Sequence, residues 1–217
     1  MHYNKKISTV ILARGGSKGI PDKNIADING KPLIQYSIDA SLNSNVNETW
    51  VSTDSKKISK VSQECGANVL DRPSELATDI SQSDDSLIHF ASKIDFDILV
   101  FIQPTSPLIK TEYINTGIDM MCSGKYNSVF TAHKEHWIPR WDNNIEPINW
   151  DVYKRPRRQD VQENYVENGM FYMTSRENLI ISKLRYSGIK GIVETKLKDS
   201  FQVDVQEDLR LIEKLIV

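Results

Sequence analysis

Short apolar runs alternate with stretches of helical periodicity along this chain. Thr9-Val10-Ile11-Leu12 is an apolar run that reads as a buried first strand. Residues 32–42 carry Leu33, Ile34, Ile38 and Leu42 as an apolar stripe, and Pro32 suits a first helical turn. A strand over 49–52 precedes a helix over 55–65 that buries Ile58 and Val61 and has Gly66 as its stop signal. A short strand at 68–70 precedes a helix at 83–93 that buries Leu87, Ile88 and Ala91. Ile98-Leu99-Val100-Phe101-Ile102 is the most apolar run, and continuous apolarity belongs to a strand covered on both faces, so it is placed at the sheet centre. A helix over 111–122 and a strand over 128–132 continue the alternation.

Periodicity fails over residues 134–164, where Trp137, Pro139, Trp141, Pro147, Trp150 and Pro156 crowd together. Irregular segments this long are usually functional or contact a partner, and tryptophan is enriched at interfaces. A subunit contact and a self-packed surface loop both fit. Strands at 170–173 and 189–194 and a helix at 204–215 complete the chain. The βαβα order predicts one α/β domain over 1–217 around a mostly parallel sheet.

Composition narrows the class. With 39% hydrophobic and 26% charged residues, 217 residues can build a packed core. A net charge of −2 argues against a general nucleic-acid binder. Cys65 and Cys122 are far apart, which argues against a disulfide and against a zinc site. The start, Met1-His2-Tyr3-Asn4-Lys5-Lys6, lacks a signal peptide's apolar region, and no apolar run approaches a membrane span. A cytoplasmic protein with no membrane partner is expected.

The stretch Ala13-Arg14-Gly15-Gly16-Ser17-Lys18-Gly19, with Lys23 and Asn24 beyond it, carries the sharpest chemistry. Glycines let the backbone curl and approach a ligand, and successive N–H groups in a curl can form an anion nest. Arg14, Lys18 and Lys23 add positive charge, so the loop is suited to a polyphosphate. It is neither a Walker loop nor the dinucleotide fingerprint, whose spacings are absent. Other polar clusters follow later strands: Ser52-Thr53-Asp54, Asp71-Arg72-Pro73 and Gln103-Pro104-Thr105-Ser106. In a doubly wound sheet they converge beyond the strand ends. Gln103 can read a base edge, since its amide donates and accepts. Asp71-Arg72 also fits an ordinary surface ion pair, and Asp204 also fits a helix N-cap. Lys154-Arg155-Pro156-Arg157-Arg158 is the densest cationic patch and, alone, reads as a solvated loop. His2, His89, His133 and His136 form no catalytic set.

Three groups of residues together resemble the CMP-sialic acid synthetases (acylneuraminate cytidylyltransferases). They are Ala-Arg-Gly-Gly-Ser-Lys-Gly with Lys23-Asn24, then Arg72-Pro-Ser-Glu-Leu-Ala with Gln103-Pro-Thr-Ser-Pro-Leu, then Arg157-Arg158-Gln-Asp with Glu167-Asn168-Gly-Met-Phe-Tyr172. The resemblance implies a three-layer, Rossmann-like nucleotidyltransferase fold that joins CTP and a nonulosonic sugar acid with release of pyrophosphate. Legionaminic, pseudaminic and octulosonic acids are alternative acceptors, and a decayed nucleotide-binding protein is the alternative class. It implies that Ala13, Arg14, Gly15, Gly16, Ser17, Lys18, Lys23, Asn24, Arg72 and Gln103 bind nucleotide. Gln103, Arg157, Arg158, Asn168 and Tyr172 would face the sugar. Arg14, Lys18 and Asp204 would be catalytic, with Asp204 and Gln202 candidates for holding Mg2+ or Mn2+. A homodimer joined through 134–164 is also implied. Two departures stand out: Gln202 where the family has the first Asp of Asp-x-Asp, and Ile109-Lys110 where it has Arg directly after Pro-Leu.

Overall fold

Residues 4–216 are described in the computed structural model, so Met1, His2 and Tyr3 of the N-terminal stretch lie outside it. Seven strands form one sheet: β1 (Ile7–Leu12), β2 (Glu48–Thr53), β3 (Asn68–Asp71), β4 (Ile98–Ile102), β5 (Ser128–Glu135), β6 (Asn164–Ser175) and β7 (Lys190–Glu194). Their order across the sheet is β7-β5-β6-β4-β1-β2-β3, which puts the apolar run of β4 at the centre. All pairings are parallel except those of β6, which runs antiparallel to β4 and β5.

Alternation along β4 sets the layers. Ile98, Val100 and Ile102 pack on one face with Ile34 and Ile38 of α1 (Leu33–Leu42), Ile58 of α2 (Lys56–Glu64) and Ile114 and Ile118 of α4 (Thr111–Cys122). Leu99 and Phe101 pack on the other with Leu87, Phe90 and Ala91 of α3 (Ser83–Lys93) and Leu179 of α5 (Arg176–Ser182). The result is the expected three-layer α/β fold. A third cluster joins Ile20, Ile28 and Leu33 to Val203, Leu209 and Ile212, so α6 (Gln206–Leu215) closes against the glycine-rich loop region.

Several boundaries differ from the sequence expectation. Pro32 caps α1 from outside, because its ψ of 139° is extended. Gly66 at φ +90° ends α2 as expected, while Ser55 caps its start by accepting the Ile58 N–H. β5 and β6 run well into the segment expected to be irregular, since their ladder pairs Asn164 with Glu135. Periodicity missed these ends because a protruding ribbon has no buried face to mark. α5 also escaped notice, being short.

Within 134–164, Arg140–Trp141 pairs antiparallel with Pro147–Ile148. Trp150 meets Trp141 edge-on at 5.0 Å and Trp137 at 6.2 Å, and the Arg155 guanidinium lies 5.8 Å from the Trp137 and Trp150 rings. The ribbon therefore packs partly on itself, yet leaves Ile138, Trp141, Ile145 and Tyr153 exposed. Cys65 and Cys122 are free thiols. Among the described residues no helix is long and apolar enough to cross a membrane.

Phe90 is fully buried, 6.3 Å from Trp50 and 5.8 Å from Phe96. Phe90→Ala is expected to lower the unfolding free energy by about 3–5 kcal/mol, read as a fall in the denaturant midpoint; an unchanged midpoint contradicts this packing.

Candidate active site

The loops after β1, β3 and β4 open on one cavity of about 490 Å3, bordered by Arg14, Lys18, Lys23, Asn24, Arg72, Gln103 and Asp204. Its floor begins at β1, where the buried Ala13 donates its N–H to Ser52. The glycines then serve close approach rather than left-handed conformation, since Gly15, Gly16 and Gly19 all lack positive φ. A Cβ at Gly19 would lie 2.8 Å from the Asp204 carbonyl oxygen, and one at Gly15 would lie 3.0 Å from Ser55 Cβ. Gly16 has open space around it.

Two loop amides are engaged within the protein: Gly15 donates its N–H to Asp54 Oδ1 at 2.9 Å, and Ser17 donates to the Gly15 carbonyl at 3.2 Å. The side chains of Arg14 and Lys18 add cationic donors to the rest of the curl. Asn24 donates to the Arg14 carbonyl at 3.0 Å and stiffens the curl, so it braces the loop from a buried position. Lys23 Nζ donates to the Val203 carbonyl at 2.9 Å and to Asp204 Oδ1 at 3.1 Å.

Asp79 completes this wall, and sequence reading missed it. One carboxylate oxygen lies 2.7 Å from Arg14 Nη2 and the other 2.8 Å from Lys18 Nζ. These hydrogen bonds, Lys18 first and Arg14 second, hold the Asp79 carboxyl below its ordinary range. It sits in Thr78-Asp79-Ile80, a turn with no periodicity, and only the loop's fold back across the cavity reveals it.

Arg72 is not a surface ion-pair residue. It is 7% exposed, and its Nε and Nη2 have no hydrogen-bond partner. Burial pushes its guanidinium below the usual arginine range, the Asp54 carboxylate pulls it up, and Arg14 pushes it down. A buried guanidinium with spare donors, on the wall of a polar cavity, is suited to bind an anion or a carbonyl.

A second cavity, also about 490 Å3, shares Gln103 with the first. Asn168, Tyr172 and Gln202 border it as well, with His133 and Glu167 beside them. Asn168 is a brace: its amide donates to Thr195 Oγ1 at 2.8 Å and Ser200 Oγ at 3.0 Å, and its oxygen accepts the Met170 N–H. The Tyr172 hydroxyl donates to the Glu167 carboxylate. Burial first, then Glu167, raises the Tyr172 pKa, so the phenol stays protonated. Gln202 donates to the Asn168 carbonyl and, at 3.3 Å, to Ser106.

Arg157 and Arg158 are not brought to either cavity. Arg157 is spent on Asp160, with contacts of 2.7 and 3.1 Å. Arg158 borders a separate cavity of about 350 Å3 with Glu135, His136 and Trp137. The ladder between β5 and β6 carries this region outward, away from the strand ends.

A cytidylyltransferase family model matches residues 9–216 of this chain. The chain belongs to the cytidylyltransferase family. It is 38% identical to N-acylneuraminate cytidylyltransferase A of Danio rerio over 99% of this chain and 51% of that protein. It spans about half the length of this and of the streptococcal relatives, such as the N-acylneuraminate cytidylyltransferase of Streptococcus agalactiae serotype V at 31% identity over 92% of this chain and 50% of that protein. Against a CMP-N,N'-diacetyllegionaminic acid synthase of Legionella pneumophila the identity is 34%, covering 97% of this chain and 96% of that one. The fold matches a CMP:2-keto-3-deoxy-manno-octonic acid synthetase complexed with CTP, with a TM-score of 0.76 at 21% identity over 97% and 98% of the two chains.

The chain brings together no group of three or more His, Cys, Asp or Glu that could hold a metal ion among the described residues. Nor do Gln202 and Asp204, the two candidates for holding the metal, border one cavity. The segment forms no ladder, so Gln202 borders the second cavity and Asp204 the first. What remains is one exposed carboxylate, Asp204, beside Lys23. That fits a hard divalent ion such as Mg2+, which commonly takes one or two carboxylates and fills its octahedron with substrate phosphates and water.

Lys110, the displaced cation, has a clear place. Its Nζ lies 2.7 Å from Asp199, which also accepts the Tyr113 hydroxyl at 2.7 Å. This anchor holds the segment that leads to Gln202 and Asp204. Burial disfavours the charged Asp199 carboxylate, but the Lys110 and Tyr113 hydrogen bonds outweigh it and keep its pKa below 3.8. A depressed carboxylate contributes stability that is fully present above its unfolded value and is lost as pH falls through the folded value. Asp199→Asn is therefore expected to be less stable than wild type at neutral pH, with the gap closing as pH drops below about 4. Urea unfolding at several pH values measures it; a gap that is constant with pH contradicts the assignment.

Proposed function

We propose that this chain joins CTP to a sialic-type nonulosonic acid, giving a CMP-sugar and pyrophosphate. The observation that carries this reading is the pair of adjoining cavities with Gln103 in their common wall, one bordered by Arg14, Lys18, Lys23 and Arg72, the other by Asn168, Tyr172, Gln202 and Phe201 with no Lys or Arg. The first suits a triphosphate and the second a hydroxylated acceptor. The relatives named as acting on N-acylneuraminate support the choice of acid. A legionaminic-type acid is the second reading, favoured because the relative of that name matches this chain over nearly its whole length.

In this reading the sugar's anomeric hydroxyl attacks the α-phosphorus in line. A new P–O bond forms, the α–β phosphoanhydride bond breaks, its electron pair leaves with pyrophosphate, and the hydroxyl proton is lost to solvent. The protein's part is positioning and charge neutralisation. Arg14 and Lys18 would exchange Asp79 for phosphate oxygens and stabilise the leaving pyrophosphate. Ala13, Gly15, Gly16, Ser17 and Asn24 shape that loop, and Lys23 ties it to the last segment. Arg72 and Gln103 would hold the nucleotide, with Gln103 also facing the sugar. Asp204 would hold Mg2+ or Mn2+, which supplies further neutralisation of the triphosphate when bound; Gln202 takes no part in that site. Arg157 and Arg158 have no role within one chain here. A homodimer through the exposed apolar ribbon at 134–164, working in the cytoplasm without nucleic-acid or membrane partners, completes the reading.

Pyrophosphate release from CTP and Mg2+ with a panel of nonulosonic and octulosonic acids tests it. Release is expected with at least one nonulosonic acid, and CTP binding without release with any acid favours a decayed nucleotide-binding protein. Arg14→Ala and Lys18→Ala are each expected to lower kcat/KM by about 100-fold, the scale seen when one donor to a developing charge is removed. Unchanged turnover in both variants overturns their assignment to the phosphates.

A further inference from the structure

The strand β6 breaks where it passes the second cavity. Its register against β5 shifts between Glu167 and Tyr172, and Gly169 takes φ +66°. In an unbroken strand, residues an odd number apart point to opposite faces. Glu167 and Tyr172 are five apart, yet they are hydrogen-bonded to each other and border the same cavity. Only glycine fits at the break, because a Cβ at residue 169 would lie 2.7 Å from Gln202 Nε2 and 3.0 Å from Gln103 Oε1. Gln103, Gln202 and the turned strand thus lock one another.

Tyr172 has no freedom to reorient. It is 5% exposed, stacks on Phe101 at 5.7 Å between centroids and lies 5.2 Å from the Arg185 guanidinium. Arg185 is itself held by Asp84, at 3.2 and 2.8 Å from Nε and Nη2. The Tyr172 proton is committed to Glu167. Glu167 remains exposed at the cavity wall. The pair therefore presents an aimed carboxylate, an acceptor only. It repels the carboxylate of an acidic substrate and rewards an O–H or N–H.

We propose that Glu167 is a specificity-determining residue for the acceptor sugar acid. It takes a hydrogen bond from a hydroxyl or acylamino N–H on the part of the sugar remote from its carboxylate, and Tyr172 is a positioning residue that aims it. This rests on the cytidylyltransferase reading above and extends it to the substituent the site selects.

Pyrophosphate release is measured for wild type, Glu167→Gln and Tyr172→Phe, with N-acylneuraminate and N,N'-diacetyllegionaminate each varied at saturating CTP, then CTP varied at saturating acid. Glu167→Gln is expected to raise KM for the preferred acid about 10-fold, the scale of a lost charge-assisted hydrogen bond, with KM for CTP moving less than about 2-fold. The preference between the two acids shrinks with it. Tyr172→Phe moves the acid KM in the same direction by less and leaves KM for CTP in place. An acid KM and preference like wild type in Glu167→Gln overturn the proposal. So does an equal rise in both KM values, which marks damage to the common wall. A Tyr172→Phe chain that melts earlier with an unmoved acid KM overturns the positioning role. A wild-type chain that releases no pyrophosphate with any acid overturns the proposed function itself.

Discussion

The candidate site depends on one backbone position far along the chain. The Val203 carbonyl accepts from Lys23 Nζ at 2.9 Å, and the Val203 N–H donates to the Thr105 carbonyl at 2.8 Å. Three loops, remote in sequence, are tied at one residue whose side chain is fully buried. Gly19 lies so close to the neighbouring carbonyl of Asp204 that any side chain there would separate them. The cavity therefore exists only when the last segment has docked. Lys110 and Tyr113 secure that docking through Asp199, which turns the displaced cation of the Pro-Leu loop into a structural anchor.

Concentrated positive charge imposes the second constraint. Arg14, Lys18, Lys23 and Arg72 face one cavity, and like charges at this spacing repel. Carboxylates offset them, one of them serving two cations. Asp79 bridges Arg14 and Lys18, Asp204 meets Lys23, and Asp54 lowers the cost of burying Arg72 while taking the Gly15 amide. The carboxylates of Asp79 and Asp204 are substantially exposed, so these pairs are cheap to exchange for phosphate oxygens. Arg72 differs, since it is already desolvated and has donors to spare.

Much of this was readable from residue order. The apolar run at 98–102 had to be the central strand, because no other placement covers both its faces. Ala13 to Asn24 announced a glycine-rich cationic loop at a strand end by composition and position, and Gln103 and Arg72 were visible as polar residues at strand ends. The sequence was silent where a residue's partner is distant. Asn168, read as a sugar contact, borders the second cavity and spends its amide on Thr195 and Ser200. Arg157 and Arg158 looked like carboxylate binders but lie on the outward ribbon. Gln202 and Asp204 looked like a metal-holding pair, yet they border different cavities.

By itself, then, the order of residues determined the layers, the centre of the sheet and the family, because hydrophobic period and short glycine-rich signatures are local properties. Only the tertiary structure decided which side chains share a wall. Asp79 reaches Arg14 through a loop that crosses the cavity, and Glu167 meets Tyr172 because the strand turns at Gly169, where Gln103 and Gln202 approach its backbone. Such meetings depend on where remote backbone segments come to rest, and no spacing along the chain records that.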